Sequence, residues 1–281
     1  MEAMTTRAFF LVAAALIAPA CASTRNFPDP AGPRYTGSYA GAAPRGLRVV
    51  TFNVKYARES AAAARLLKYD ARLAGADMIA LQEMDEAGAD LIARHLGMNF
   101  VYYPAVVHPV NKRNFGDAIL SPWPLEDDVK IVLPHRGRLR NSVRIAVGAT
   151  VRIPGRDPVR FYSVHLETPA AISGGARRDQ AAAILADAAA HARVIVAGDF
   201  NSRSILPQAF VGSGFRWLTS RVGRTIARYS WDHIAARGFR LRDCASVGAI
   251  TTARAVSDHR PVWAEVLSDA DASAVAAPEC P

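Results

Sequence analysis

The stretch VIVAGDFNS, residues 194–202, is a fully apolar run that breaks into a carboxylate and an amide. Residues 194–198 read as a strand, which puts Asp199 and Asn201 at its C-terminal mouth, the usual place for sites in α/β sheets. An Asx turn is the bland alternative for the same two residues.

Other polar residues share this address. Asn53, Glu83, His165, Asp232 and Asp258 follow the strand-like runs LRVVTFN (47–53), MIALQE (78–83), VRFYSVH (159–165), YSWD (229–232) and AVSDH (255–259). Stacked in sheets, such strands bring an Asn, a Glu, a His and three Asp to one edge. Carboxylates that close do not all stay ionised without a compensating cation, because unpaired buried charge is costly. The pattern predicts a divalent metal site built for phosphate chemistry. Taken singly, each residue has a structural reading: Asn53 as a turn cap, Glu83 as a solvated strand end, Asp232 as a cap or hairpin residue, His165 as a satisfied core histidine.

Between these runs, residues 59–73, 87–96 and 176–192 carry good helix formers and predict helices. From Asp117 to His165 the pattern changes to strands, AILS, IAVGATVRI and VRFYSVH, with a hairpin turn at Pro154-Gly155. Helix-linked strands plus hairpins imply mixed sheets with helices outside. The 281 residues, 51% apolar, can bury one large core. The net charge of +9 is mostly arginine. Such an excess suits nucleic acid or an anionic membrane surface, and it equally suits a GC-rich genome's codons.

Arg7 precedes an apolar stretch, residues 8–20, too short to span a bilayer comfortably but suited to a signal peptide. Ile17-Ala18-Pro19-Ala20-Cys21 looks like a bacterial lipoprotein signal in which Cys21 is lipidated; ordinary cleavage nearby is the alternative. The expectation is export, to the periplasm or to a membrane anchor. Residues 1–21 are then the signal peptide, 22–46 a flexible tether, 47–267 the catalytic domain and 268–281 a disordered tail. Cys244 and Cys280 remain as an even pair that could close a disulfide, although a buried Cys244 thiol is the preferred reading.

In order, TFNVKYA, IALQEMD, GDAILSPWPL, YSVHLET, GDFNS, WDHI and SDHRPV span the predicted domain. No motif is specific alone, but the seven together resemble the endonuclease/exonuclease/phosphatase, or DNase I-like, superfamily. That group includes DNase I-like nucleases, AP endonucleases, neutral sphingomyelinases and inositol polyphosphate 5-phosphatases. The resemblance implies a four-layer α/β sandwich, two mixed β-sheets face to face with helices outside. It makes Glu83 the ligand of Mg²⁺ or Mn²⁺, with Asn53 beside it and Asp258 against the metal. It gives Asp199 the attacking water and Asn201 the scissile phosphate. Asp232 and His259 become an orienting pair with His259 as base, and His165 contacts the phosphate and protonates the leaving group. Arg144, isolated in a strand, reads as a phosphate or carboxylate clamp. His95, His108, His135, His191 and His233 read as packing or surface residues.

Three positions depart from the family pattern. Asp117 replaces the usual Asn of its motif, adding a carboxylate that repels phosphate or joins the metal. Asn141, Ser142 and Val143 supply no acid ahead of Arg144 to partner His165, which argues against a strong general-acid role. Lys55 stands where AP endonucleases carry an acid, which argues against DNA repair. The expected protein is thus a monomeric, exported, metal-dependent phosphodiester hydrolase. A nuclease is favoured by the arginines, the loop Lys112-Arg113-Asn114-Phe115 and the aromatics Trp123 and Trp217. A phospholipid or sphingomyelin-type phosphodiesterase is favoured by the possible anchor and the apolar stretch 100–107. A catalytically silent, membrane-tethered binding protein is the third reading.

Overall fold

Alternate residues of the central strands enter different cores, and that alternation builds the layers. The structure, a computed structural model, describes residues 24–39, 47–138, 140–202 and 205–271. In chain order it forms β1 (Arg25–Asn26), β2 (Tyr35–Gly37), β3 (Arg48–Asn53), α1 (Ser60–Tyr69), β4 (Met78–Met84) and α2 (Glu86–Leu96). Next come β5 (Asn99–Val107), β6 (Asn114–Ser121), β7 (Leu125–Val132), β8 (Ile145–Val151), β9 (Val159–His165), α3 (Gly174–Ala188) and β10 (Val194–Asp199). The remainder is α4 (Ile205–Gly212), β11 (Arg216–Trp217), β12 (Asp232–Arg237), β13 (Phe239–Leu241), β14 (Val247–Ala249) and β15 (Val262–Ser268).

One sheet has the order β1-β5-β6-β4-β3-β15-β13, with β2 on β5 and β14 on β15; the other runs β11-β12-β10-β9-β8-β7. Val49, Met78, Phe161, Ile195 and Ile234 belong to the core between the sheets. Val50, Phe52 and Ile79 turn instead toward α1 and α2 with Leu67 and Ile92, and Val194, Val196 and Ala235 turn toward α3 and α4 with Ile184 and Phe210. The result is the four-layer α/β sandwich, helices outside two mixed sheets.

Local chemistry sets the ends. The first helix stops at Tyr69, short of the expected residue 73, because Asp70 turns extended and its carboxylate takes the Arg72 amide. Asp85 caps α2 by accepting the Gly88 amide, and Gly97 closes that helix at φ 69°. Ser173 caps α3 two residues earlier than predicted.

Several expectations need correction. Residues 22–46 are not all tether: β1 and β2 pair with β5, so part of this segment belongs to the sheet. The C-terminal strand reaches Ser268, whose hydroxyl accepts the Asp271 amide; the rest of the expected tail, like the signal peptide, lies outside the described residues. Cys244 is disulfide-bonded rather than a free thiol, and both other cysteines lie outside the described residues. Residues 100–106 are buried in β5, Trp217 packs 5.0 Å from Phe200, and Trp123 packs against the inter-sheet core. Neither aromatic set is a binding platform.

Candidate active site

Register assembles the site. β9 and β10 run parallel and β12 antiparallel to β10, which sets His165, Asp199 and Asp232 abreast at one edge. Each shares the parity of the inter-sheet residues Phe161, Ala197 and Ile234, so all three face the gap between the sheets. The first sheet brings Asn53 at the end of β3 and Glu83 in β4. A bulge between Leu81 and Met84, with Glu83 at φ 58°, re-aims that carboxylate. Beneath, Gln82 donates to Ser163 Oγ at 3.0 Å and ties the sheets together.

Two assignments of position change. Asp232 opens its strand rather than closing one, and Asp258 and His259 precede β15. Because β12 and β15 run antiparallel to β10 and β3, their beginnings meet the other strands' ends. Gly198 lets β10 approach β9: a Cβ there would lie 2.0 Å from the Val164 carbonyl oxygen.

Asp199 is the hub. Its Oδ2 accepts from Asn53 Nδ2 at 3.2 Å and lies 3.6 Å from His165 Nε2 and 3.8 Å from His259 Nε2. Its Oδ1 accepts the Asn201 amide at 2.9 Å. Asn53 Nδ2 also reaches Glu83 Oε1 at 3.1 Å, and the Tyr56 amide donates to Glu83 Oε2 at 3.2 Å. His259 Nδ1 meets both Asp232 oxygens, at 3.0 and 2.9 Å. Ser257 Oγ donates to the Asn53 carbonyl and accepts the His259 amide, pinning this loop to β3. Asn201 spends one amide hydrogen on the Leu166 carbonyl, which leaves the other for a phosphate.

Arg144 lies 3.1 Å from both ring nitrogens of His165 and 3.3 Å from Glu167 Oε1. Glu167 thus pairs with Arg144 and not with His165, whose ring has Asp199, at 3.6 Å from Nε2, as its carboxylate neighbour among the described residues. Asp258 is 45% exposed and pairs with Lys55 Nζ at 3.0 Å, at the rim of the site. Asp117 is buried, 1% exposed, and its Oδ2 has no hydrogen-bond partner among the described residues.

Burial pushes Glu83 and Asp117 up from the carboxylate range, and Asp199 up to about 7. Burial draws His259 down, but the Asp232 carboxylate against it, with Asp199 and Glu83, carries it up to about 10. His165 goes the other way: burial, then the Arg144 and His259 charges, hold it well below the usual imidazole value. The edge is short of positive charge, and its donors Glu83, Asn53 and Asp199 are all oxygens, with the Asp117 oxygen still unpaired. That set fits a hard divalent cation. Asp199, Asp232 and His259 also lie within ligand distance of one another. Asp232, however, is committed to His259 Nδ1, so we read this trio as acid–base machinery.

Sequence reading missed Glu167, Ser257, Tyr56 and Arg177, whose Nη1 supports the Asn201 carbonyl at 2.9 Å. Glu167 had a signal, lying two residues beyond His165 on the motif already singled out. Tyr56 and Ser257 also lie inside quoted motifs, but these two and Arg177 bond through at least one backbone group each, which no side-chain pattern marks.

No curated protein matches the chain. A solved endonuclease/exonuclease/phosphatase from Beutenbergia cavernae DSM 12333 is similar, with 20% identity and a TM-score of 0.63 over 80% of this chain and 72% of that one. Sphingomyelinase C from Streptomyces griseocarneus is similar at 17% identity and a TM-score of 0.57, over 79% and 99%. TDP2 from D. rerio complexed with single strand DNA product matches at 17% and 0.58, again over 79% and 99%. These likenesses speak for the fold. The model of the Endonuclease/Exonuclease/phosphatase family matches residues 50–259, a span that holds every site residue described, and the chain belongs to that family.

Proposed function

We propose that this protein is an exported, divalent-metal-dependent phosphodiester hydrolase acting on nucleic acid. The observation that carries the hydrolase reading is the place of Asp199, a buried carboxylate whose Oδ2 lies 3.2 Å from Asn53 Nδ2, 3.6 Å from His165 Nε2 and 3.8 Å from His259 Nε2. Glu83, Asn53 and Asp199 offer oxygen donors for Mg²⁺ or Mn²⁺, with Asp258 at the rim; such a cation, when bound, supplies positive charge at the phosphate. Asp199, at the centre of the edge, holds the attacking water and takes its proton. His259 is cationic and fixed by Asp232, rather than the base the resemblance implied. It donates a hydrogen bond to a phosphoryl oxygen, and the leaving oxygen takes its proton from solvent. Arg144 and the free Asn201 amide hydrogen hold the diester. The intact Asp232–His259 pair speaks against a silent binding protein.

The test incubates the purified mature domain with plasmid DNA, RNA, sphingomyelin and an aryl phosphodiester, with Mg²⁺ or Mn²⁺. Nucleic acid should be cleaved, EDTA should abolish turnover, and Glu83→Gln should weaken the metal dependence sharply. Full turnover in chelator would remove the metal from the reading. A phospholipid head group is the second reading, favoured by one observation: Thr24, three residues beyond Cys21, lines the cleft beside the site. Export is tested by fractionation in a Gram-negative host, where Cys21→Ser should release the protein from membranes. Full-length protein soluble in the cytoplasm would end the export reading.

A further inference from the structure

Beside Arg144 opens a cleft of ≈ 270 Å³ whose walls include Tyr56, His108, Phe115, Arg140 and Glu167. It is smaller than the about 300–1,000 Å³ of drug-sized sites, so it holds one ring-sized group and offers no tunnel for an acyl chain. Its aromatic residues form a continuous wall. The Tyr56 and His108 rings are 4.6 Å apart, each lies 5.8 Å from Phe115, and Phe115 lies 5.8 Å from His165. The wall thus ends at the catalytic edge. His108, read from sequence as a packing or surface residue, is part of it.

The mouth of the cleft is positive, although two carboxylates, Glu83 and Glu167, line it with Arg140 and Arg144. The Arg58 guanidinium stands 5.5 Å over Tyr56 and that of Arg144 stands 5.6 Å over Phe115. Arg144 is answered by Glu167. Arg58 and Arg140 are exposed and make no ion pair among the described residues. Burial and then the charges of Arg140, Arg58 and Arg144 draw the His108 ring below its ordinary value, which reports the sign of the field inside the cleft. An aromatic wall can cage a quaternary ammonium, but the guanidinium groups of Arg58 and Arg140 at its mouth, without ion pairs among the described residues, repel one. Flat rings and phosphates are what a wall of aromatics interleaved with arginines takes.

We propose that this cleft is a nucleotide subsite, in which Tyr56, His108 and Phe115 meet the base or sugar next to the scissile phosphate, Arg58 and Arg140 meet the following phosphate, and choline head groups are rejected. This rests on the diester-hydrolase reading and names its substrate class.

The experiment compares three esters that share one leaving group, so that chemistry is constant and only the other arm varies: the p-nitrophenyl esters of thymidine monophosphate, methyl phosphate and phosphorylcholine. With Mg²⁺ or Mn²⁺, kcat/KM should favour the thymidine ester over the methyl ester by about tenfold, the scale of one stacking contact. The phosphorylcholine ester should fall below the methyl ester. Tyr56→Leu should move the thymidine-to-methyl ratio toward one, and Arg140→Ala should remove the gain that an added 3′-phosphate gives the thymidine ester, with circular dichroism confirming the fold. Equal turnover of the thymidine and methyl esters, or a preference for phosphorylcholine, overturns the subsite and leaves the hydrolase standing. Calorimetry with thymidine 3′,5′-bisphosphate in EDTA supplies a readout without turnover. Binding that weakens in Arg140→Ala supports the subsite even where no ester is cleaved, an outcome that sinks the hydrolase instead; no binding to the wild type overturns the subsite.

Discussion

The two flanks of Asp199 hold the same side chain in opposite states. His259 lies between Asp199 and Asp232, and the carboxylates carry its imidazole up to about 10. His165 lies between Asp199 and Arg144, and burial with the guanidinium keeps its ring neutral. Both are 4% exposed or less, so depth does not separate them. The sign of the neighbouring charge does. A histidine's role is therefore decided by the residue across the strand from it, and two identical side chains divide the work of one site.

The largest effect should come from breaking the cationic flank. His259→Ala should lower kcat on a phosphodiester by about 10² to 10³, the scale of one preorganised donor to transition-state charge. Asp232→Asn should cost nearly as much, since it removes the charge that holds His259 protonated. The double variant should be little worse than His259→Ala, because residues acting as a unit are not additive. Near-wild-type kcat in His259→Ala with an intact fold would dissolve the comparison.

A second effect is on stability, read without substrate or metal. His259 titrates at about 10 in the fold against an ordinary 6.5. The folded state therefore binds the extra proton, and stability from the His259–Asp232 pair is complete below 6.5 and lost as pH rises through about 10. In EDTA, the melting temperature should fall across that window in the wild type. Asp232→Asn should flatten this alkaline fall, although its overall stability is lower. A fall that persists unchanged in the variant would mean that another group carries it.

How much of this was legible follows from where each cause lies. Strand ends could be read: VIVAGD and VRFYSVH are strand-like runs that close on Asp199 and His165, so those two residues could be placed at one edge before any fold was known. Strand direction could not. Asp232 and His259 begin or precede strands that run antiparallel to their neighbours, and composition carries no sign for direction. Glu167 was overlooked because its partner Arg144 is on the adjacent strand, 23 residues earlier. The bulge at Glu83 follows from pairing with β6, and β1 and β2 are too short for a periodicity to register. Charge states were the least legible of all, since the groups that set them lie 21 and 27 residues away in sequence.

The smallest effect tests the neutral flank. The family resemblance has His165 protonate the leaving group, which would make its loss worst for a poor leaving group and slight for p-nitrophenolate. The structure implies otherwise. A ring held neutral by burial and by Arg144 has no imidazolium proton to give at neutral pH. One nitrogen therefore accepts from Arg144, and the other offers the diester an N–H hydrogen bond without transferring its proton. His165→Ala should then cost the same factor on a dinucleotide as on an aryl diester, about tenfold or less, the worth of one neutral hydrogen bond. Arg144→Gln removes the cation and lets the ring titrate higher, so in that background the loss from His165→Ala should become dependent on the leaving group. A leaving-group dependence already present in the wild-type background would show that His165 is charged in the working enzyme, and would restore the symmetry between the two flanks.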